Sequence, residues 1–130
     1  MLEAILPIRQ PDKHGDGKYK APRGQRTHNG IDYACHAGTG IKALSDGVVS
    51  KVGYPYADDL SFRYIEVTDL QGYKVRYFYL DPYYWNNDKV KAGDILGSVQ
   101  TLQNRYPGIT DHCHLEIMDD KGNYIDPSNY

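Results

Sequence analysis

The sequence contains few of several residue types that would mark particular classes of protein. Its 130 residues include two cysteines, Cys35 and Cys113, which allow at most one bridge and no disulfide framework, so we expect free buried thiols rather than that bridge. Lys and Arg total 15 against 17 Asp and Glu, and a net charge of −2 gives no indication of a nucleic-acid partner. The apolar stretch near the start is short and includes Glu3, so we expect neither a signal peptide nor a membrane span.

Tyrosine is plentiful, with 13 residues against 2 Phe and 1 Trp. Rings with polar tips suit a wet groove that binds sugars or peptides, but tyrosine is also an ordinary strand residue, and both interpretations stay open. Helical periodicity is missing, apart from a short turn around residues 81–88. Alternating runs bounded by Gly, Pro or Asp instead predict strands at 47–54, 62–69, 73–80, 94–100 and 112–119.

These signals predict one mainly β, antiparallel domain over residues 1–130. Residues 69–74, "DLQGYK", read as the turn of a β-hairpin. Two further segments, 43–53 and 90–100, look like loose half-repeats, each with a glycine beside a short apolar strand. That pattern suits a sheet folded over on itself.

Two segments combine residues that can bind a metal ion. "DHCHLEI", residues 111–117, puts His112 and His114 on one face of a strand, because side chains alternate across a strand. "THNGIDYACHAGTG", residues 27–40, offers His28 and Asp32, and its glycines argue against a helix. His28, Asp32 and His114 would supply two imidazoles and one carboxylate, the ligand set of a catalytic zinc.

Together with "VKAGDILG" and the closing "GNYIDPSNY", these motifs resemble the M23 (lysostaphin/LytM-type) zinc metallopeptidases of bacterial cell walls. The resemblance runs from about residue 23 to the end of the chain. It implies a compact antiparallel sheet groove of the duplicated hybrid motif type with little helix. It also implies one zinc ion and hydrolysis of an amide in the peptide cross-links of peptidoglycan.

Carried over by position, the family's metal ligands fall on His28, Asp32 and His114, and His112 becomes a catalytic residue. His36 corresponds to a variable loop position and is left out of the site. Glu116 shares the face of the two histidines, where it could orient a ligand histidine or simply have a solvent or backbone partner.

The chain departs from the family at residues 77–80, where "YFYL" replaces the usual Y-x-H-L. Tyr79 therefore stands where a second catalytic histidine is expected. A phenol with a pKa near 10 is a poor base at neutral pH, but it donates a good hydrogen bond. We therefore assign His112 as general base and acid, and Tyr79 as the donor to the oxyanion.

Several properties of the substrate and setting follow from the resemblance as expectations. Tyrosine-rich loops at 53–60 and 81–88 would wall the groove. Arg23, Arg26 and Arg105 are candidates for holding stem-peptide carboxylates, although each could be an ordinary surface charge. We expect a monomer that acts at the bacterial cell wall. The expected lack of an export signal suits a phage lysin, and a longer parent protein is the alternative.

Other classes of protein compete with this assignment. Tyr79 could mark a catalytically inactive M23-like module that binds cell walls or regulates, although such relatives generally lose metal ligands as well. The glycine-bounded half-repeats also occur in sugar-phosphotransferase carriers and lipoyl carriers. Asp32 counts against a phosphocarrier, and no lysine stands at a convincing hairpin tip for a lipoyl carrier.

Overall fold

The computed structural model describes residues 6–10, 17–18, 22–23, 26–27 and 29–130. Nearly all regular structure there is β, with one short 3-10 helix at Pro127–Asn129. The strands are β1 Pro22–Arg23, β2 Arg26–Thr27, β3 Ile31–Ala34, β4 Gly40–Lys42, β5 Gly47–Gly53, β6 Tyr64–Asp69, β7 Lys74–Phe78, β8 Leu80–Pro82, β9 Lys89–Val90, β10 Ile95–Val99, β11 His112–Met118 and β12 Tyr124–Ile125. No helix within the described residues is long and apolar enough to cross a bilayer.

All strand pairs are antiparallel and form a larger and a smaller sheet, besides the pair β1–β2. The larger sheet runs in the order β12-β11-β7-β6-β5-β9, and β3 also pairs with β11. The smaller sheet runs in the order β4-β10-β8. This agrees with the predicted mainly β, antiparallel fold. The half-repeats at 43–53 and 90–100 contribute β5 and β10, which lie in different sheets.

The core joins apolar side chains from both sheets, including Val67 of β6, Leu96 of β10 and Leu115 of β11, each at most 1% exposed. Burying a side chain of this size contributes about 1.5–3 kcal/mol. In β11 the alternation is regular, since Cys113, Leu115 and Ile117 are buried whereas the side chains between them reach the opposite face. Both cysteines are free, with Cys113 buried and Cys35 partly so.

The predicted hairpin at 69–74 is confirmed, because β6 and β7 pair in register on either side of it. The Asp69 side chain accepts bonds from the backbone N–H groups of Gln71 and Tyr73, both at 2.9 Å. Gly72 has φ of 87°, a conformation that glycine adopts without steric cost. Residues 81–88 form turns and the end of β8, with no helix.

Tyr79 lies where the chain passes from β7 in the larger sheet to β8 in the smaller one. Its φ is 69°, in the left-handed region that side chains with a Cβ adopt only at a cost of about 1–2 kcal/mol. The N–H groups of Tyr79 and Leu80 both donate to the Arg63 carbonyl, at 2.8 and 3.3 Å, which holds this kink. Strained residues of this kind concentrate at functional sites.

Candidate metal and catalytic site

Asp32 and His114 meet across the paired strands β3 and β11, where they are direct register partners. The Asp32 carboxylate oxygen Oδ1 lies 2.7 Å from His114 Nδ1. Asp32 is 3% exposed, although charged groups are rarely buried without partners. One contact between two predicted metal ligands thus joins the segment 27–40 to the segment 111–117.

Arg9 is the second partner of Asp32. Its Nε donates to Asp32 Oδ2 at 3.0 Å, and Arg9 is only 2% exposed. The backbone places it there, since Arg9 N donates to the Asp32 carbonyl and Ile8 forms a bridge with Tyr33. A paired guanidinium offsets much of the cost of burying the carboxylate. Nothing in the sequence around Arg9 indicates this role.

Glu116 holds the other ring nitrogen of His114, with Nε2 lying 3.0 Å from Oε1. Burial opposes the charged imidazole, but bonds to Asp32 and Glu116 raise the pKa of His114 to about 9. Arg76 in turn lies 3.8 Å from Glu116 and bonds Glu66 at 2.7 Å. A carboxylate bonded to Nε2 fixes the ring so that Nδ1 faces Asp32. Metal-binding histidines commonly have such a partner on the ring nitrogen that does not bind the metal.

His112 lies on the same face as His114 and is 3% exposed. Its Nδ1 lies 2.7 Å from the Thr110 carbonyl, which can only accept, so Nδ1 carries the proton. The neutral ring therefore presents an unprotonated Nε2, which lies 3.4 Å from Asp32 Oδ2. Burial lowers the pKa of His112, although the Asp32 charge opposes that shift. An imidazole held in this tautomer can accept a proton at Nε2.

Tyr79 stands beside His112, with ring centroids 5.4 Å apart and planes nearly perpendicular at 87°. Its hydroxyl lies 2.9 Å from that of Tyr56. Burial raises the pKa of Tyr79 well above its ordinary value. The phenol is therefore neutral near pH 7 and can serve as a hydrogen-bond donor, but not as a base.

The donor chemistry of Asp32 and His114 fits zinc, which binds carboxylate oxygen and imidazole nitrogen. His28, the third predicted ligand, lies outside the described residues. Among the residues that are described, no group of three or more His, Cys, Asp or Glu side chains is arranged to hold a metal ion. The described part of the chain thus supplies two of the three predicted ligands, already in contact.

Of the remaining predicted residues, Arg105 is the one whose side chain the structure describes. Arg23 and Arg26 lie in β1 and β2, where only the backbone is described. Arg105 pairs with Asp58 at 3.3 Å and lies over the Tyr56 ring, 3.6 Å from its centroid. His36, which is not assigned to the site, is exposed.

A protein-family model matches most of the chain. The model described as Peptidase family M23 matches residues 26–127. Among curated proteins, leukocyte cell-derived chemotaxin-2 of Mus musculus is 33% identical over 123 residues, covering 95% of this chain and 78% of that protein. The Bos taurus protein of the same name is 33% identical over 112 residues, covering 86% of this chain and 74% of its own.

Solved structures show the same fold. The catalytic domain of the antimicrobial peptidase lysostaphin from Staphylococcus simulans is 25% identical, with a TM-score of 0.69, covering 88% of this chain and 86% of that domain. A zinc containing peptidase from Vibrio cholerae is 28% identical, with a TM-score of 0.65, covering 91% of this chain and 35% of that one.

Proposed function

Since the chain belongs to peptidase family M23, we propose that it is a zinc-dependent endopeptidase that hydrolyses an amide in the peptide cross-links of bacterial peptidoglycan. The observation that chiefly supports this is the convergence of Asp32, His112 and His114 on one face of paired strands, with Tyr79 beside them. The likeness to the lysostaphin catalytic domain, a peptidase by name, points in the same direction.

His28, Asp32 and His114 would hold one zinc ion, and Glu116 would keep the His114 ring in its binding orientation. When bound, zinc supplies a Lewis acid that favours deprotonation of water and polarises the scissile carbonyl. Arg9 would keep one oxygen of Asp32 occupied while the other faces His114.

His112 would act as the general base and then as the general acid. With Nδ1–H donated to the Thr110 carbonyl, Nε2 is free to take the proton from the attacking water. The same nitrogen would then return that proton to the leaving amine as the C–N bond breaks. Tyr79 would donate its hydroxyl proton in a hydrogen bond to the oxyanion that develops on the carbonyl.

The substrate is proposed by chemical class, since both glycyl-glycine and D-alanyl cross-links remain candidates. Arg23, Arg26 and Arg105 are proposed to hold stem-peptide carboxylates. Action at the cell wall, and delivery as a phage lysin, are proposals of the same kind.

The test is incubation of zinc-loaded protein with purified sacculi of both wall types, followed by mass spectrometry of the released peptides. We expect one new amide cut that stops with a chelator and returns with zinc. His112→Gln should hold zinc but lose the cut, because it removes the base. His36→Gln is the matched control, since His36 is exposed. A cut that survives zinc removal would contradict the proposal.

A second candidate is a catalytically inactive M23-like module that either binds cell walls or has a regulatory role. Tyr79 in place of the expected histidine favours it, as does similarity to proteins named chemotaxins rather than peptidases. Zinc-loaded protein that binds sacculi without cutting either wall type would support this candidate.

A further inference from the structure

A line of phenol hydroxyls leads from Arg105 to Tyr79. Arg105 Nε donates to the Tyr106 hydroxyl at 3.3 Å. The Tyr106 hydroxyl donates to that of Tyr56 at 2.9 Å, and Tyr56 and Tyr79 are joined by a further bond of 2.9 Å. The line ends beside His112, which the Tyr79 ring contacts edge to face.

The hydrogen-bond inventory permits a line that runs in one direction, from Arg105 to Tyr79. A guanidinium has donors only, so the Tyr106 oxygen must accept from Arg105. Each phenol has a single proton to donate. If Tyr106 gives its proton to Tyr56, Tyr56 can give its own to Tyr79. The Tyr79 proton is then not used within the line.

The aromatic packing holds these hydroxyls in place. Tyr56 and Tyr79 are stacked, with ring centroids 6.2 Å apart and planes at 19°. Arg105 lies over the face of Tyr56, 3.6 Å from the centroid, and is kept there by Asp58 at 3.3 Å. The three tyrosines pack on a small apolar cluster separate from the main core, formed by Phe62, Leu102 and Ile109.

We propose that Tyr56 and Tyr106 are positioning residues, which direct the Tyr79 proton into the site and make Tyr79 a stronger donor. Hydrogen bonds in series polarise one another, and a line that begins at a cation is polarised towards its far end. This inference rests on the proposed function, in which Tyr79 stabilises an oxyanion.

The test is a double-mutant cycle of Tyr56→Phe with Tyr79→Phe, measured as kcat and KM of zinc-loaded protein. Phe keeps the ring packing and removes only the hydroxyl. We expect Tyr56→Phe to lower kcat by about 3- to 10-fold, the range of one hydrogen bond, with KM unchanged. In the Tyr79→Phe background the same change should have no effect. Tyr130→Phe is the control, since its hydroxyl bonds Asp69 outside the line.

Binding of inorganic phosphate, a tetrahedral oxyanion, gives a second readout that needs no turnover. Tyr56→Phe should weaken phosphate binding to the zinc-loaded protein by about 3- to 10-fold, and only where Tyr79 is intact. Equal kcat and phosphate affinity in wild type and Tyr56→Phe would overturn the inference. It would also be overturned if Tyr56→Phe lowered kcat or phosphate affinity equally with Tyr79 intact and in the Tyr79→Phe background. Wild type that fails to cut sacculi while this cycle holds for phosphate would overturn the proposed function alone.

Discussion

Asp32 is the residue at which the contacts of the site meet. One carboxylate oxygen faces His114, and the other faces Arg9 and His112. A buried carboxylate with so many partners is held in one orientation, which is the condition for precise metal binding. Arg9 contributes to this, because removing its buried guanidinium would leave the Asp32 charge without one of its partners.

Tyr79 carries the clearest prediction at the scale of a single residue. Tyr79→Phe should lower kcat by roughly 100- to 1000-fold, because it removes one donor to the oxyanion. The variant is selective, since Phe has the same backbone preferences as Tyr at φ of 69°. This loss of kcat is measured as steady-state turnover of zinc-loaded protein. The zinc content of the variant checks that its metal ligands are intact.

Tyr79→His is the companion variant, because it restores the residue that the resemblance leads us to expect. It should retain more activity than Tyr79→Phe. Turnover of Tyr79→Phe equal to that of wild type would show that the hydroxyl has no part in the reaction.

At the scale of the element, β11 is the strand on which the site depends. It pairs with β3 at its start and with β7 from His114 to its end, so one strand aligns Asp32, His114 and Phe78 in a single row. Its buried face anchors it in the core through Leu115 and Ile117. Displacement of this strand would therefore move the site and the core together.

Gly30 tests this dependence. A Cβ at Gly30 would overlap the Leu115 carbonyl oxygen and lie 3.0 Å from His114 Cε1. Gly30→Ala should therefore destabilise the protein by about 1–3 kcal/mol and weaken zinc binding, because β11 must shift. Chemical denaturation and a zinc competition titration measure the two effects.

Gly40→Ala is the matched control for Gly30. Its Cβ would lie 3.1 Å from Ile95 Cγ2, and Ile95 is 46% exposed and can move. We expect a change within about 0.5 kcal/mol. If both variants had the same stability as wild type, the close contact between Gly30 and β11 would carry no cost.

At the scale of the whole molecule, the tyrosines make the free energy of unfolding depend on pH in the alkaline range. Burial and a bond to Asp69 raise the pKa of Tyr130 to about 12, and burial also raises the pKa of Tyr56, Tyr77 and Tyr79. Unfolded tyrosine titrates near 10, so above that pH the folded chain retains protons that the unfolded chain has lost. The contribution of these tyrosines to stability is therefore fully present below about pH 10 and falls above it.

Urea unfolding between pH 9 and 12 measures this fall. Tyr130→Phe removes one of the contributing phenols and should make the decline shallower, with little change in pH dependence below 9. A free energy of unfolding that stays constant from pH 9 to 12 would contradict the argument.

Much of the fold follows from local patterns in the sequence. The alternation in residues 112–119 predicts β11 and puts His112, His114 and Glu116 on one face, because the side-chain period of a strand is two. The hairpin at 69–74 is likewise encoded by Asp69 and Gly72. The half-repeats at 43–53 and 90–100 indicate two strands but not their pairing, since local similarity does not specify which sheet a strand joins.

The sequence by itself determined which residue types could form a metal site, through its two motifs and the substitution at Tyr79. The tertiary structure decided which of them touch. Asp32 and His114 are 82 positions apart, and only the β3–β11 register puts them 2.7 Å from each other. No sequence motif indicates the role of Arg9 or the line from Arg105 to Tyr79, because contacts between distant segments depend on register and chain path, which no local pattern encodes.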